Sequence, residues 1–186
     1  MGSAGRAGCA GRPDAACATV AATMAERPGP NVFGEQWERE IEHGPFAIRG
    51  TRVGALAGSQ RLGLAVYELP AGRRNMPYHA HFGIEEMLIV LSGRPTLRGP
   101  GGERELAAGE VVSFPPGRDG AHQLSNQGTE PVRYLMVSST ADADLIEYPD
   151  SGKIGARGGA FGASGSVSHM VSSSEQLGYF DGEPDA

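Results

Sequence analysis

The stretch Gly72-Arg73-Arg74-Asn75-Met76-Pro77-Tyr78-His79-Ala80-His81-Phe82-Gly83-Ile84-Glu85-Glu86, continued to Gly93, decides how this chain is read. Two histidines separated by one residue on an extended segment point to the same side of a sheet. A carboxylate, Glu85 or Glu86, follows within one hairpin's reach. Imidazole nitrogen suits Zn, Cu, Fe and Ni, and carboxylate oxygen suits harder ions such as Mn. A third histidine, His122, lies downstream in Pro115-Pro116-Gly117-Arg118-Asp119-Gly120-Ala121-His122-Gln123-Leu124-Ser125-Asn126. Three of the chain's five histidines fall in these two stretches, which favours one shared site over scatter.

Around these stretches the chain reads as short apolar runs punctuated by its 29 glycines and 13 prolines, a texture of turns and strands rather than long helices. Residues 46–49 form one run, which 52–56 extend. In 62–69, Leu62, Leu64 and Val66 alternate with a face carrying Tyr67 and Leu69, and Pro70 ends the strand. Residues 86–91 are strongly apolar. Residues 96–98 pair with 104–106 across a Gly-Pro-Gly-Gly turn, and further strands fall at 111–114, 122–124 and 132–137. Strands of this length and spacing predict an all-β barrel or sandwich. Upstream, Phe33, Trp37 and Ile41 stand four apart, as on one face of a short helix ended by Gly44-Pro45. No block repeats, so one barrel is expected.

A net charge of -6 and the absence of a Lys/Arg cluster exclude nucleic-acid and membrane-surface partners from the expected set. Cys9 and Cys17 lie upstream of the strands with no zinc spacing, so a reducing cytoplasm is the expected compartment. Residues 1–30 read as a disordered tail, too weakly apolar for a membrane span or a signal peptide, and Met24 as the expected start of translation. Residues 151–186 read as a Gly/Ser-rich C-terminal tail that docks back through Tyr179-Phe180.

The two histidine stretches resemble the motifs of the cupin superfamily. Gly72, His79, His81, Glu86 and Gly93 follow the first motif, with one residue more than usual before His79. Gly109, Pro115, Gly117, His122 and Asn126 follow the second, with four residues rather than the usual two before His122. The residues 147–153 and 179–183 are similar to a group of uncharacterised bacterial single-domain cupins. The resemblance implies a double-stranded β-helix, or jelly-roll barrel, over residues 31–150 with an N-terminal helix or arm. It carries the metal ligands onto His79, His81, Glu86 and His122. Glu85 is the rival, but alternation places Glu85 and Glu86 on opposite faces and favours Glu86. Three imidazoles and one carboxylate leave open positions on a six-coordinate ion, as a catalytic or ligand-binding metal needs.

The ion expected is a divalent transition metal, Fe, Mn, Zn or Ni. Inward candidates for the pocket lining are Tyr67, Tyr78, Phe82, Met87, Phe114 and Met136, with Arg73, Arg74 or Arg118 at the mouth to hold a carboxylate. Gly72, Gly93, Gly109 and Gly117 are expected in turns, Asn126 as a turn cap, and His43 and His169 at the surface. Two functions follow: a metal-dependent enzyme on a small organic molecule, of dioxygenase, isomerase or decarboxylase type, or a non-enzymatic small-molecule-binding module. The fold does not choose between them. Apolar side chains outside the barrel motifs predict a homodimer.

Overall fold

The computed structural model describes residues 29–159, 166–174, 177–181 and 184. The chain divides into Met1–Pro30 and Asn31–Ala186. The expectations placed on residues 1–28, among them those for Cys9, Cys17 and Met24, lie outside the described residues. The second unit is built from β1 (Arg39–His43), β2 (Phe46–Thr51), β3 (Leu62–Leu69), β4 (Ala80–His81), β5 (Glu86–Ser92), β6 (Thr96–Gly99), β7 (Gly102–Glu105), β8 (Val111–Phe114), β9 (Gln123–Ser125), β10 (Val132–Ser139), β11 (Ala143–Tyr148), β12 (Lys153–Gly158) and β13 (Val167–Ser172), with a single turn of helix, α1 (Val53–Leu56). No helix among the described residues is long and apolar enough to cross a membrane.

Strands that neighbour one another in space are often distant in sequence. One sheet runs β1-β2-β3-β10-β5-β8, a second β13-β12-β11-β4 and a third β7-β6-β9. Every pairing between these strands is antiparallel. This is the jelly-roll arrangement expected from the two motifs. Leu69, Leu88 and Leu124 are fully buried in its core, each contributing about 1.5–3 kcal/mol relative to an exposed side chain.

The six-stranded sheet places its inward side chains in rows, because residues paired across a ladder share a face. One row holds Ser138, Glu86 and Phe114. The next holds Ala65, Met136, Leu88 and Val112. A third runs from the edge strand inward as Arg39, Gly50, Tyr67, Tyr134 and Val90. Gly50 is required there: a Cβ would stand 2.5 Å from Cδ1 of Tyr67, whose ring lies across the strand.

The structure corrects the expectation of a helix over residues 33–41. The segment is extended and ends in β1, where Ile41 pairs with Ile48. The guanidiniums of Arg49 and Arg133 stand 5.0 and 5.1 Å from the Trp37 ring, and both arginines pair with Glu68. Edge pairing and cation–π contacts override the four-residue spacing. Residues 52–56, expected as strand, contain α1, whose Gly54 packs on the backbone of Leu64. The stretch beyond residue 150, expected as a loose tail, carries β12 and β13. Its composition is poor in strand formers, but β12 is paired on both edges, by β11 and β13. Tyr179 and Phe180, expected to dock on the barrel, are exposed, and their rings meet each other edge to face at 4.9 Å.

Candidate metal centre

His79 and His81 stand at β4, where pairing with β11 sets Ile146 opposite His81. His79 and His122 exchange both backbone hydrogen bonds, at 3.2 and 2.8 Å, so the second motif is laced directly to the first. Glu86 projects from the facing six-stranded sheet. Its Oε2 lies 3.5 Å from Nε2 of His81 and 3.4 Å from Nε2 of His122. Ligand atoms of His79, His81 and Glu86 lie within 4.8 Å of one another, and the His79 ring is centred 4.7 Å from that of His122. The four residues carried over from the motifs therefore converge. Glu85 does not join them: it faces outward and accepts a 3.0 Å hydrogen bond from the Ser113 hydroxyl.

Each imidazole is held by an acceptor at Nδ1. The acceptors are the Pro77 carbonyl for His79 at 2.8 Å, the Asp144 carboxylate for His81 at 2.6 Å, and the Gly120 carbonyl for His122 at 2.9 Å. With Nδ1–H donating, the lone pair of each ring sits on Nε2 and faces the others. Burial, followed by the neighbouring imidazoles, lowers the His79 pKa to about 3. Burial also lowers that of His122 to about 4, against the opposing pull of its bond to Gly120. Both rings are therefore neutral at ordinary pH. Burial raises the Glu86 pKa. Burial would raise that of Asp144 too, but hydrogen bonds from His81, Arg157 and the Gly83 amide together hold it down to about 2.

This donor set fits a divalent transition metal. Three nitrogen lone pairs and one carboxylate converge where they repel one another unless a cation or proton lies between them. Two atoms about 2.1 Å from one ion stand about 3.0–3.4 Å apart at octahedral to tetrahedral angles, close to the spacings of Glu86 to His81 and His122.

The cluster opens on a cavity of about 480 Å³. Tyr67 and Met136 line it, as expected. Phe114 lies behind, stacked on His122 with ring centres 3.9 Å apart. Phe114 is thus not part of the lining expected of it, and three further expectations are corrected. Tyr78 is buried outside the cavity against Arg98. Phe82 is exposed beyond β4, and Met87 is exposed on the outer face of β5, one residue out of register with Glu86. The expected arginines are also displaced. Arg118 pairs with Glu147, Arg73 pairs with Glu42, and Arg73 and Arg74 line a separate cleft of about 420 Å³. The arginines of the cavity are Arg39, Arg52 and Arg157.

Asp144, Arg157 and Tyr148 come from β11 and β12, beyond the two motifs, and were not found from the sequence. Arg157 donates to Asp144 at 2.9 Å, and Tyr148 stacks on His79 at 6.0 Å. Asn126 behaves as expected of a turn cap, bonding the Leu69 and Glu130 carbonyls and the Gly128 amide. Gly72, Gly93, Gly109 and Gly117 all take positive φ. His43 and His169 are exposed.

The family model described as the cupin domain matches residues 65–138. The chain is similar to the crystal structure of a candidate sugar phosphate isomerase from Acidithiobacillus ferrooxidans, at 27% identity and a TM-score of 0.63, over 70% of this chain and 80% of that one. It is also similar to a sugar phosphate isomerase of the cupin superfamily from Silicibacter pomeroyi, at 24% identity and a TM-score of 0.60, over 66% of this chain and 75% of that one. No curated protein matches it. The domain match, the jelly-roll topology and the convergence of both motifs on one cavity identify residues 65–138 as a cupin domain.

Proposed function

We propose that the protein is a divalent-metal-dependent enzyme acting on a small organic molecule. The observation that carries this is the convergence of three imidazoles and the Glu86 carboxylate at the wall of one cavity. His79, His81, Glu86 and His122 would hold the ion, which supplies Lewis-acid polarisation of a substrate oxygen. Fe, Mn, Zn and Ni all suit this donor set.

The chain's own residues perform the rest. Asp144, braced by Arg157, orients His81 and raises its basicity. Tyr134 is fully buried, and its hydroxyl oxygen accepts from the Asn75 amide at 3.5 Å. Tyr67 lies beside it, with ring centres 5.4 Å apart. Burial raises its pKa, and Tyr67 lines the same cavity as Glu86, where its hydroxyl can hydrogen-bond a bound molecule and hold a proton. The isomerase named for the Acidithiobacillus neighbour supports an enzyme over a passive binding module, and makes proton-transfer isomerisation the first reaction to assay.

Elemental analysis of protein purified without added metal tests the proposal. About one equivalent of Fe, Mn, Zn or Ni, lost on His79→Ala/His81→Ala, supports it. Absence of stoichiometric metal after reconstitution sinks it, and a metal-loaded protein that binds ligands without turnover is a binding module instead. We also propose a homodimer, motivated by the open edge of β1 and the exposed side chain of Phe33. A monomer mass in sedimentation at all micromolar concentrations removes that part.

A further inference from the structure

Arg39 and Arg52 stand at the far end of the cavity from the ligand cluster. Arg39 lies on edge strand β1, four strands across the sheet from the β5 strand that carries Glu86. The ladder turns it inward: Arg39 pairs with Gly50, Gly50 with Tyr67, and Tyr67 with Tyr134, all on the cavity face. Its cation is near enough to act on both phenols.

Arg39 also differs from most arginines of the chain. Nine others are in ion pairs with carboxylates, whereas Arg39 has none among the described residues. Its guanidinium thus stands at the cavity with no carboxylate partner among the described residues. Arg52, at the end of β2, reaches the same cavity, and its bond to Glu38 is long, at 3.4 Å, and exposed. The rest of the wall is mainly apolar, from Ile48, Leu64, Ala65, Met76, Met136 and Ile146, with Tyr67, Asn75 and Ser138 among its polar groups. A sugar's hydroxyls would find few partners along it, and an unmatched polar group in such a wall is costly.

We propose that the cavity takes an organic oxyanion with an apolar body, its carboxylate or phosphate held by Arg39 and Arg52 and its other end reaching the His79, His81, Glu86 and His122 cluster. The guanidinium fork matches both head groups. The apolar body packs along Ile48, Ala65 and Met136, and Tyr67 is the hydroxyl midway along it. This rests on the cavity being a substrate site, and not on the identity of the metal.

Calorimetric titration with octanoate, octyl phosphate, octanol and ribose 5-phosphate tests it, on metal-loaded and on chelator-treated protein. Octanoate or octyl phosphate should bind about tenfold or more tightly than octanol, and the tighter of the two names the head group. Arg39→Gln and Arg52→Gln should each cut that preference about tenfold while leaving octanol binding and metal content unchanged. Arg73→Gln, in the separate cleft, should leave all four affinities unchanged. Equal binding of octanol and octanoate, or a charge preference that survives both substitutions, overturns the proposal. Ribose 5-phosphate binding as tightly as octyl phosphate overturns the apolar body. Arg39-dependent anion binding in a protein that takes up no metal supports the anion site and removes the metal-dependent function, so the two can fail separately.

Discussion

Asp144 Oδ2 lies 2.6 Å from Nδ1 of His81, across 63 residues of sequence. The same carboxylate accepts from Arg157 at 2.9 Å and, through Oδ1, from the Gly83 amide at 3.0 Å. One buried side chain on β11 thus ties the His81 ring, the loop after β4 and β12 into a single arrangement. Asp144→Asn keeps the volume and removes the charge. Metal affinity should fall about 10–100-fold with little change in circular dichroism, read by competition with a chromophoric chelator. Unchanged affinity would show that His81 needs no such partner.

His79→Ala/His81→Ala should remove metal binding and leave a folded barrel. The core at Leu69, Leu88 and Leu124 is independent of these rings, so the far-ultraviolet spectrum should stay that of a β protein. A double variant that cannot fold would make the ion structural rather than functional.

Gly120 supplies the carbonyl that holds His122 at Nδ1. A Cβ at Gly120 would collide with the Pro115 carbonyl oxygen, which is backbone and cannot turn aside. Gly120→Ala should therefore destabilise the protein by about 2–3 kcal/mol and weaken metal binding in the same variant. Chemical denaturation and metal titration read the two effects, and a variant as stable as the parent contradicts the close approach.

The metal-free protein should lose stability as pH falls from about 6.5 toward 4. His79 and His122 have folded pKa values of about 3 and about 4, below the unfolded value of about 6.5. Between those values the unfolded chain binds more protons, so unfolding is favoured on acidification by about 1.4 kcal/mol per pH unit for each ring. Glu86 acts with the opposite sign, since its raised pKa favours the folded state at low pH, a contribution lost as pH rises through that pKa. Two rings outweigh one carboxylate, so the net slope is positive. Urea midpoints in excess chelator that fail to drop between pH 6.5 and pH 5 would falsify the burial of these imidazoles.

The clustering of His79, His81 and Glu86 was legible in the sequence because its information is local, while His122 was reached through the resemblance of its stretch to the second motif. His79 and His81 are two apart, so any extended segment sends both to one side, and Glu86 is separated from Glu85 by the same alternation. The strands over 62–69 and 111–114 were legible for a similar reason, as alternation ended by Gly and Pro. The Phe33, Trp37 and Ile41 spacing was equally local and misled, because pairing of β1 with β2 and the cations beside Trp37 outweighed it. Asp144, Arg157 and Arg39 carried no local signal. Asp144 reaches His81 only because Ile146 pairs with His81, and Arg39 reaches the cavity only through the ladder from β1 to Tyr67. Spacing along one strand is a property of the chain's own geometry. The register between strands far apart in sequence is set by the packing of the whole barrel, and that register alone decided which distant side chains share the site.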